Sequence, residues 1–417
     1  MKTNFVKLRW LFTMLLFVTT MIMPTMMLAK SIDLKIPEGD GAGTPYKIGT
    51  AEELYWFAGL VNGTLPGVKK DLSANAILTD DIIVNTGVLD PNKDLVSGND
   101  FIEWIPIGKS SSDDDAYTGT FDGNGHTISG LYFNKSNSWY VGLFGCIGAE
   151  GKISNVGVSD SYFQSSNCPY IGGVCGSNSG ELQNCSNSST VIGKENEYRI
   201  GGVCGYNERR YNEKGGIIEN SFNEGTVSGT GDYDVLNIGG VCGYNYGGTI
   251  KSCYNTASVS GQYSVGGVSG YNYGGTIKSC YNTASVSGQY SVGGVCGDNY
   301  EGPITNCYYL SGTVADGKGG IGGKDDENGK AVEMSKDRFK SGEVAWLLNG
   351  SKSVSTEEST LAWYQKLGEN ADAYPVLTST GDNTVYGGYQ HGSRVRFFSN
   401  TVQHSTGECK LNCVKLQ

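Results

Sequence analysis

The stretch GYNYGGTIKSCYNTASVSGQYSVGGV occurs twice in the chain, at residues 243–268 and again at residues 270–295. The two copies are identical and start 27 residues apart (270 − 243). Catalytic loops are rarely copied in tandem, whereas stacked repeat architectures grow by such duplication. The repeat therefore indicates the fold more directly than any single motif does. It is either a binding element shown more than once or a scaffold unit that lengthens a column.

The same unit extends well beyond the exact duplicate. An apolar-Gly-Gly-Val signature begins at each of five positions, and a looser copy, VGLFGCIG, begins at Val141; the five are Ile171, Ile200, Ile238, Val265 and Val292. Each unit is shorter than the four strands and about 40 residues of a propeller blade. The sequence therefore predicts an all-β fold, a right-handed parallel β-helix (solenoid) with short helical caps.

Equivalent positions of stacked coils should form ladders along the axis. The sequence predicts one interior ladder of Ile250, Ile277 and Ile304 and a second of Val259 and Val286. A further column contains asparagine, which tolerates left-handed turn conformations and stacks its amide on copies of itself; its members are Asn207, Asn245, Asn272 and Asn299. We expect this asparagine column at a turn.

Several segments resemble a known group of proteins. GTFDGNGHTISGLYF (119–133), YVGLFG (140–145) and the repeated GGVCG…NCYN units are similar to the GLUG-repeat proteins of bacterial surfaces. The resemblance covers roughly residues 45–385 and includes two helix-like segments, YKIGTAEELYWFAGLVNG and SGEVAWLLNG. Such repeats accompany adhesins and an IgA-cleaving metallopeptidase group. The resemblance therefore implies a surface β-helix rather than one activity.

The chain divides into five predicted parts. These are a signal peptide (1–29), an N-terminal region with a helical cap and the first strands (30–103), the β-helix (104–314), a C-terminal cap region (315–385) and an atypical tail (386–417). The leader has basic residues and then an apolar run that ends near Ala29, which predicts export to the medium or the cell surface. An uncleaved anchor is the alternative. The tail is a flexible segment, an attachment segment or a frameshift product.

The cap helix has clear boundary signals. Thr50 is a good N-cap with Glu53 three residues later, and Gly63 stands where a helix should stop. The formal charge of −11 argues against nucleic acid as a partner. It also argues against anionic membrane surfaces, and we expect no membrane insertion once the signal peptide is cleaved.

The chain has 12 cysteines, and disulfides are the first expectation for an exported protein. Two repeat columns carry cysteine, yet each also carries one serine, at Ser269 and Ser221. A bridge between the columns would leave Cys204 and Cys280 facing serine. The pattern favours buried free thiols that pack as small apolar groups, with disulfides as the alternative.

Catalytic motifs are scarce. The histidines are His126, His391 and His404, and there is no HExxH, so the peptidase half of the resemblance lacks its motif. The acids of the coils, such as Glu181 and Glu219, have no evident fixed partner, and we expect no cofactor. A weak calcium candidate consists of Asp113, Asp114, Asp115 and Asp122. A polysaccharide lyase or glycoside hydrolase on a β-helix is the enzymatic alternative.

Tyrosines recur with the coils. The candidate ligand-binding residues are Tyr244, Tyr246, Tyr271, Tyr273, Tyr300, Tyr254, Tyr281 and Tyr308. Tyrosine combines an apolar ring with a hydroxyl, which suits sugars and protein partners. Rows of rings that merely stack and stabilise the column are the competing interpretation. The sequence favours a secreted or cell-surface adhesion protein that recognises a glycan or a host or bacterial surface protein, with a surface spacer as a further alternative.

Overall fold

Five short strands make one coil, as the segment 236–260 shows with strands at Leu236–Gly239, Cys242–Tyr246, Thr249–Lys251, Tyr254–Asn255 and Val259–Ser260. Glycines and polar turns separate these strands, and the following coil repeats them in the same order. The computed structural model describes residues 32–110, 112, 114–194, 198–210, 214–231, 236–315, 318–322, 330–352, 361–378, 383–391 and 394–399. The predicted signal peptide lies outside these residues, and Ile32–Gln417 forms one unit.

The described helices are α1 (Ala51–Asn62), α2 (Lys336–Lys340) and α3 (Glu343–Leu348). The strands before the main repeats are β1 (Tyr46–Ile48), β2 (Ala76–Leu78), β3 (Ile82–Ile83), β4 (Thr120–Asp122), β5 (Thr127–Ser129), β6 (Tyr132–Ser136), β7 (Tyr140–Val141), β8 (Phe144–Ile147), β9 (Lys152–Ser154) and β10 (Gly157–Ser166). The next are β11 (Tyr170–Gly172), β12 (Cys175–Asn178), β13 (Glu181–Gln183), β14 (Ser186–Lys194), β15 (Tyr198–Gly201), β16 (Cys204–Glu208), β17 (Ile217–Glu219), β18 (Phe222–Asn223), β19 (Val227–Thr230), β20 (Leu236–Gly239), β21 (Cys242–Tyr246), β22 (Thr249–Lys251), β23 (Tyr254–Asn255) and β24 (Val259–Ser260). The last are β25 (Val265–Gly266), β26 (Ser269–Tyr273), β27 (Thr276–Lys278), β28 (Tyr281–Asn282), β29 (Val286–Ser287), β30 (Val292–Gly293), β31 (Cys296–Tyr300), β32 (Ile304–Thr305), β33 (Cys307–Leu310), β34 (Ala331–Met334), β35 (Val385–His391) and β36 (Arg394–Ser399).

These strands stack into parallel sheets that run along the column. The sheet orders are β1-β2-β4-β9-β13-β17-β22-β27-β32, β7-β11-β15-β20-β25-β30 and β8-β12-β16-β21-β26-β31. A larger sheet has the order β29-β24-β19-β14-β18-β23-β28-β33-β34, and β10, β5, β6 and β3 join it beside β14. The fold is therefore the expected parallel β-solenoid, with about 8 turns. Connections between parallel strands of one sheet are almost always right-handed, so we expect the coil to be right-handed.

The predicted apolar ladders are confirmed. Ile250 pairs with Ile277, and Ile277 with Ile304, while Val259 pairs with Val286. All five side chains are buried, and they belong to one core that runs the length of the coils. Each coil contributes the same apolar residues to this core, so an added coil extends it without disturbing its packing.

The asparagine column was expected at a left-handed turn, and that placement is wrong. Asn207, Asn245 and Asn272 lie within strands, and their side chains are buried. The amide Nδ2 of each donates to Oδ1 of the next asparagine at 2.7–2.8 Å, so the predicted amide stacking is present. The left-handed position belongs to another column, which contains Asn184, Asn220, Ser252, Ser279 and Asn306.

The paired glycines of the signature are required by close packing of neighbouring coils. A Cβ on Gly240 would lie 2.2 Å from the carbonyl oxygen of Gly267, and a Cβ on Gly267 would lie 2.2 Å from that of Gly294. Real Cβ atoms do not approach a carbonyl oxygen so closely, so only glycine fits here. The close approach of the coils explains why the Gly-Gly pair recurs.

Helix α1 closes the front of the core as predicted. The Thr50 side chain accepts from the Glu53 amide, and Gly63 is left-handed with φ 64°. The Phe57 ring lies 6.1 Å from that of Tyr117 and 6.0 Å from that of Phe121. Almost every residue of α1 is buried, because the chain up to residue 118 covers its outer side. Such coverage protects the open edge of the first coils.

The rear of the column carries a separate cap with its own core. Helices α2 and α3 contribute Phe339, Val344 and Leu348, and Trp363 packs beside them. An antiparallel bridge joins Tyr364 to Val376. The longest described helix has 12 residues, and none of the described helices has the length and apolarity that crossing a membrane requires.

Part of the predicted tail belongs to this cap. Strands β35 and β36 form an antiparallel hairpin. Val385 is buried in the cap core, and the Phe397 ring lies 5.5 Å from that of Trp346. Residues 400–417 lie outside the described part of the chain. The sequence after residue 385 therefore begins with a segment that is packed on the cap.

Candidate binding surface

The outer face of one sheet carries two adjacent rows of tyrosines. At the end of strand β21 the side chains alternate, so Asn245 is buried between two outward tyrosines, the half-buried Tyr244 and the exposed Tyr246. Strand β26 repeats this arrangement with Tyr271 and Tyr273. Because the strands pair in register, each outward tyrosine lies beside its copy in the next coil.

The first row, here the inner row, contains Tyr206, Tyr244 and Tyr271 of this sheet and continues with Tyr140 and Tyr170, which lie on strands β7 and β11 of the neighbouring sheet. From Tyr140 to Tyr271, successive ring centroids lie 5.1, 5.1, 5.4 and 5.0 Å apart. Burial raises the pKa of Tyr244 to about 12 and also raises that of Tyr271. These hydroxyls therefore remain protonated near neutral pH and can both donate and accept hydrogen bonds.

The second row, here the outer row, contains Tyr246, Tyr273 and Tyr300. Their rings lie 5.5 and 5.0 Å apart, and their exposed fractions are 38%, 40% and 48%. The rows touch edge to face, because the ring of Tyr246 lies 6.1 Å from that of Tyr244. Inner and outer rows together form one continuous aromatic surface, here the tyrosine face.

A single arginine lies over the inner row. The Arg199 guanidinium carbon is 5.2 Å from the ring centroid of Tyr170, 5.3 Å from that of Tyr206 and 5.2 Å from that of Tyr244. Such contacts are within the range of favourable cation–π interactions. Toward the rear the inner row ends where Asp298 pairs in register with Tyr271. The tyrosine face thus includes one positive charge, that of Arg199, and has the Asp298 carboxylate at one end.

The third predicted row lies under the C-terminal cap. Tyr254 and Tyr281 stack at 5.1 Å, and Tyr308 pairs in register with Tyr281. Tyr281 is 1% exposed and donates its hydroxyl to the Pro375 carbonyl at 2.7 Å, and the Trp363 ring packs 5.2 Å away. Rings covered in this way hold the cap onto the column, and a ligand from solvent does not reach Tyr281 or Tyr308.

The calcium candidates are spread among other interactions. Asp113 lies outside the described residues. The Lys70 ammonium contacts the Asp114 carbonyl and lies 2.5 Å from Asp115 Oδ1, while Asp122 Oδ1 accepts from Asn155 Nδ2 at 2.9 Å. Within the described part of the chain, no group of three or more His, Cys, Asp or Glu side chains is placed to hold a metal ion. Calcium binding stays a prediction.

Two acidic residues of the coils that the sequence left without partners form ion pairs with lysines. Glu219 Oε1 lies 2.5 Å from Lys251 Nζ, and Glu181 Oε2 lies 3.4 Å from Lys152 Nζ, so both acids have the fixed partner that the sequence did not predict. The FDGNGH segment forms a turn, in which the His126 amide donates to the Gly123 carbonyl and Asn124 is left-handed. Asp81 accepts from His126 Nδ1 at 3.3 Å, and this pair lies on the surface.

Sequence reasoning did not select three members of the tyrosine face: Tyr140, Tyr170 and Arg199. The signal was available, since each stands directly before a copy of the apolar-Gly signature, as in YVGLFG, YIGGVCG and RIGGVCG. In strands β7, β11 and β15 these residues are register partners, so the column changes from tyrosine to arginine after two coils. Tyr170 and Arg199 lie against the ring of Tyr206, a contact between two sheets that the repeat spacing does not indicate.

The sequence model of the GLUG motif matches residues 234–260 and 261–287, which include Tyr244 and Tyr246 in one coil and Tyr271 and Tyr273 in the next. The chain carries GLUG motifs. Each matched GLUG unit begins at or just before one Gly-Gly signature and ends just after the next valine ladder position. The expected resemblance is thereby confirmed for the repeats.

Two relatives match parts of the chain. Halomucin of Haloquadratum walsbyi is 38% identical over 86 residues, and a "Putative Gly-rich membrane protein" of Evansella cellulosilytica is 32% identical over 80 residues. These matches cover 21% and 19% of this chain. They span only 1% and 9% of the lengths of the relatives, so they compare short segments and not whole proteins.

One solved structure has a similar fold. It is the crystal structure of a "putative immunoglobulin A1 protease" from Bacteroides ovatus, with a TM-score of 0.54 and 20% sequence identity. The superposition covers 82% of this chain and 95% of that chain. At this identity the likeness concerns the fold alone, so a similar overall architecture occurs in another protein.

Proposed function

We propose that the protein is an exported surface recognition protein that binds a glycan or a surface protein through the tyrosine face. One observation carries the proposal: the outer row, Tyr246, Tyr273 and Tyr300, exposes between 38% and 48% of each residue although apolar ladders already hold the coils together. Large aromatic side chains are seldom left exposed in a contiguous group unless the surface meets a partner.

The chemistry of the face suits recognition. Stacked tyrosines offer flat apolar surfaces for the C–H faces of sugar rings, with hydroxyls at the rim for hydrogen bonds. Tyrosine and arginine are also the residues that dominate protein interfaces, and Arg199 lies within this surface. A repeated surface offers the same contact in successive coils, which favours a repetitive ligand such as a polysaccharide.

Export and surface location complete the proposal. They rest on the predicted signal peptide (residues 1–29) and on the resemblance to bacterial surface proteins. A glycan-binding role needs no catalytic constellation, and the described acids Glu181 and Glu219 are already paired with lysines. Adhesion would instead rely on the tyrosines, which recur from coil to coil.

The experiment is a binding screen of residues 30–417 against arrays of bacterial and host glycans and surface proteins, with a Tyr246→Ser, Tyr273→Ser, Tyr300→Ser triple variant beside it. The proposal expects at least one ligand that the unmodified chain retains and the triple variant loses. If neither chain binds anything on the arrays, the chain acts as a spacer. If a glycan is cleaved during the screen, the enzymatic alternative replaces adhesion.

A further inference from the structure

A polar cleft lies between the coils and the C-terminal cap, away from the tyrosine face. Its volume is about 800 Å³. The wall on the coil side is formed where strands β13, β17, β22, β27 and β32 end, and the cap contributes the residues that follow α3 and those around Tyr364. None of the residues of the tyrosine face lines this cleft.

The charge of the cleft is opposite to that of the chain. Its lining has three lysines, Lys251, Lys278 and Lys352, and one acid, Glu219. Glu219 is occupied by Lys251, whose Nζ lies 2.5 Å from Oε1. Among the described residues, Lys278 and Lys352 have no carboxylate within ion-pair distance. A chain with a formal charge of −11 thus lines this cleft with two lysines that have no ion-pair partner among the residues that the structure describes.

The coil wall of the cleft is rich in amides and hydroxyls. The left-handed column at this corner supplies Asn184, Asn220 and Asn306, together with two serines in the duplicated coils. The Oδ1 atom of Asn220 is buried and has no hydrogen-bond partner in the described structure. A buried acceptor without a partner is costly, so a donor from a ligand would improve the free energy of this site.

We propose that this cleft binds an acidic oligosaccharide. Lys278 and Lys352 would contact a carboxylate or sulfate group through charge-assisted hydrogen bonds. The amides would contact sugar hydroxyls, which donate and accept as amides do, and Asn220 Oδ1 would receive one of those donors. An acidic peptide fits less well on the coil wall, whose lining side chains are all polar or charged. Apolar side chains line only the cap side of the cleft, at residues such as Leu348, Leu361 and Leu377.

The duplication in the sequence contributes directly to this site. Lys251 and Lys278 are the same position in the two identical copies, and they pair in register on β22 and β27. Two lysines placed directly opposite each other repel. Glu219 relieves that repulsion at Lys251 only, and an anionic group in the cleft would relieve it at Lys278.

The test is calorimetric titration of residues 30–417 at low ionic strength with four probes. Hexagalacturonate carries carboxylates, a carrageenan hexasaccharide carries sulfates, maltohexaose is the neutral control and hexaglutamate is the peptide control. We expect one or both acidic saccharides to bind, maltohexaose and hexaglutamate to bind at least tenfold more weakly, and added salt to weaken the acidic complexes. The better of the two acidic probes identifies the anionic group.

The variant is Lys278→Gln, with Lys152→Gln as the matched control, since Lys152 is an exposed lysine of the same sheet outside the cleft. We expect Lys278→Gln to weaken binding about tenfold or more and Lys152→Gln to leave it within twofold. The triple tyrosine variant should still bind the acidic saccharide, so that failure of the cleft and failure of the tyrosine face are distinguishable. Absence of binding at millimolar saccharide, equal losses in both lysine variants, or equal binding of hexaglutamate would overturn the proposal.

Discussion

The ring of Tyr273 lies 5.5 Å from the ring of Tyr246, tilted by only 23°, and both residues are more than one-third exposed. The two are the same position in successive coils, one of each in the duplicated segments. Copying the segment therefore copied a surface contact as well as a packing unit. Its isoleucines, valines and asparagines lengthen the column, while its outward tyrosines extend a face toward solvent.

The buried asparagine ladder should be a major source of stability. Asn272→Ala removes the 2.7 Å bond to Asn299 Oδ1 and leaves the Asn245 amide without its acceptor. We expect the free energy of unfolding in denaturant to fall by about 2 to 4 kcal/mol. Asn134→Ala is the control, because Asn134 is an exposed strand residue bonded to Gln164, and we expect a change below about 0.5 kcal/mol. Equal changes would show that the ladder is dispensable.

We expect the cysteines of the two repeat columns to stabilise the fold by packing in the core and not by forming disulfides. The ten described cysteines are free and buried, and Cys242 Sγ contacts the Tyr244 carbonyl just as Ser269 Oγ contacts that of Tyr271. Cys242→Ser should therefore cost only about 1 kcal/mol. Ile250→Ala, which leaves a cavity in the same core, should cost about 2 to 5 kcal/mol.

Thiol titration provides the complementary measurement. In denaturant without reductant, we expect all ten of these thiols to react. A loss of about 2 to 5 kcal/mol in Cys242→Ser, together with missing thiols, is what a disulfide at this position would produce.

Stability should fall in alkaline solution. Burial raises the pKa of Cys146, Cys168 and Cys185 to about 12, whereas thiols of an unfolded chain titrate near 8.5. Above that pH the unfolded chain binds fewer protons than the folded chain, so the slope of stability with pH is negative. The contribution of these thiols is complete below about pH 8.5 and is lost as the pH rises toward 12.

Denaturant unfolding at pH 7, 9 and 10.5 measures this effect. Cys185→Ser, which removes one buried thiol at a column position where Ser221 already occurs, should show a shallower decline than the unmodified chain. A free energy of unfolding that is constant or rises over this range would contradict the assigned burial of the thiols.

Much of the column could be predicted because a repeat converts sequence spacing into register. Ile250, Ile277 and Ile304 share one position of the unit, and stacking alone brings them together. The helix signals at Thr50 and Gly63 are equally local, since they depend on residues within a few positions. The repeat likewise predicts that Tyr246 lies beside Tyr273, and their rings stack.

The parts that escaped prediction depend on segments far apart in the chain. Trp363 packs on Tyr281, and its indole donates to the Ser279 carbonyl at 3.1 Å across 84 positions of sequence. Nothing in the period indicates that the cap returns to cover that row. The strand placement of Asn245 was missed for another reason: asparagine is common in turns, but here its amide bonds its own copy in the next coil.

The central claim is that the outer row binds a ligand and does not merely stack. The most direct test measures affinity and stability together for the Tyr246→Ser, Tyr273→Ser, Tyr300→Ser variant, using the ligand identified on the arrays. Tyr263→Ser with Tyr290→Ser is the control, since these rings also stack, at 4.8 Å, outside both rows. We predict at least a tenfold loss of affinity in the triple variant only, with the free energy of unfolding lowered by no more than about 2 kcal/mol. Unchanged affinity together with a larger loss of stability would contradict the account and assign the tyrosines to the scaffold.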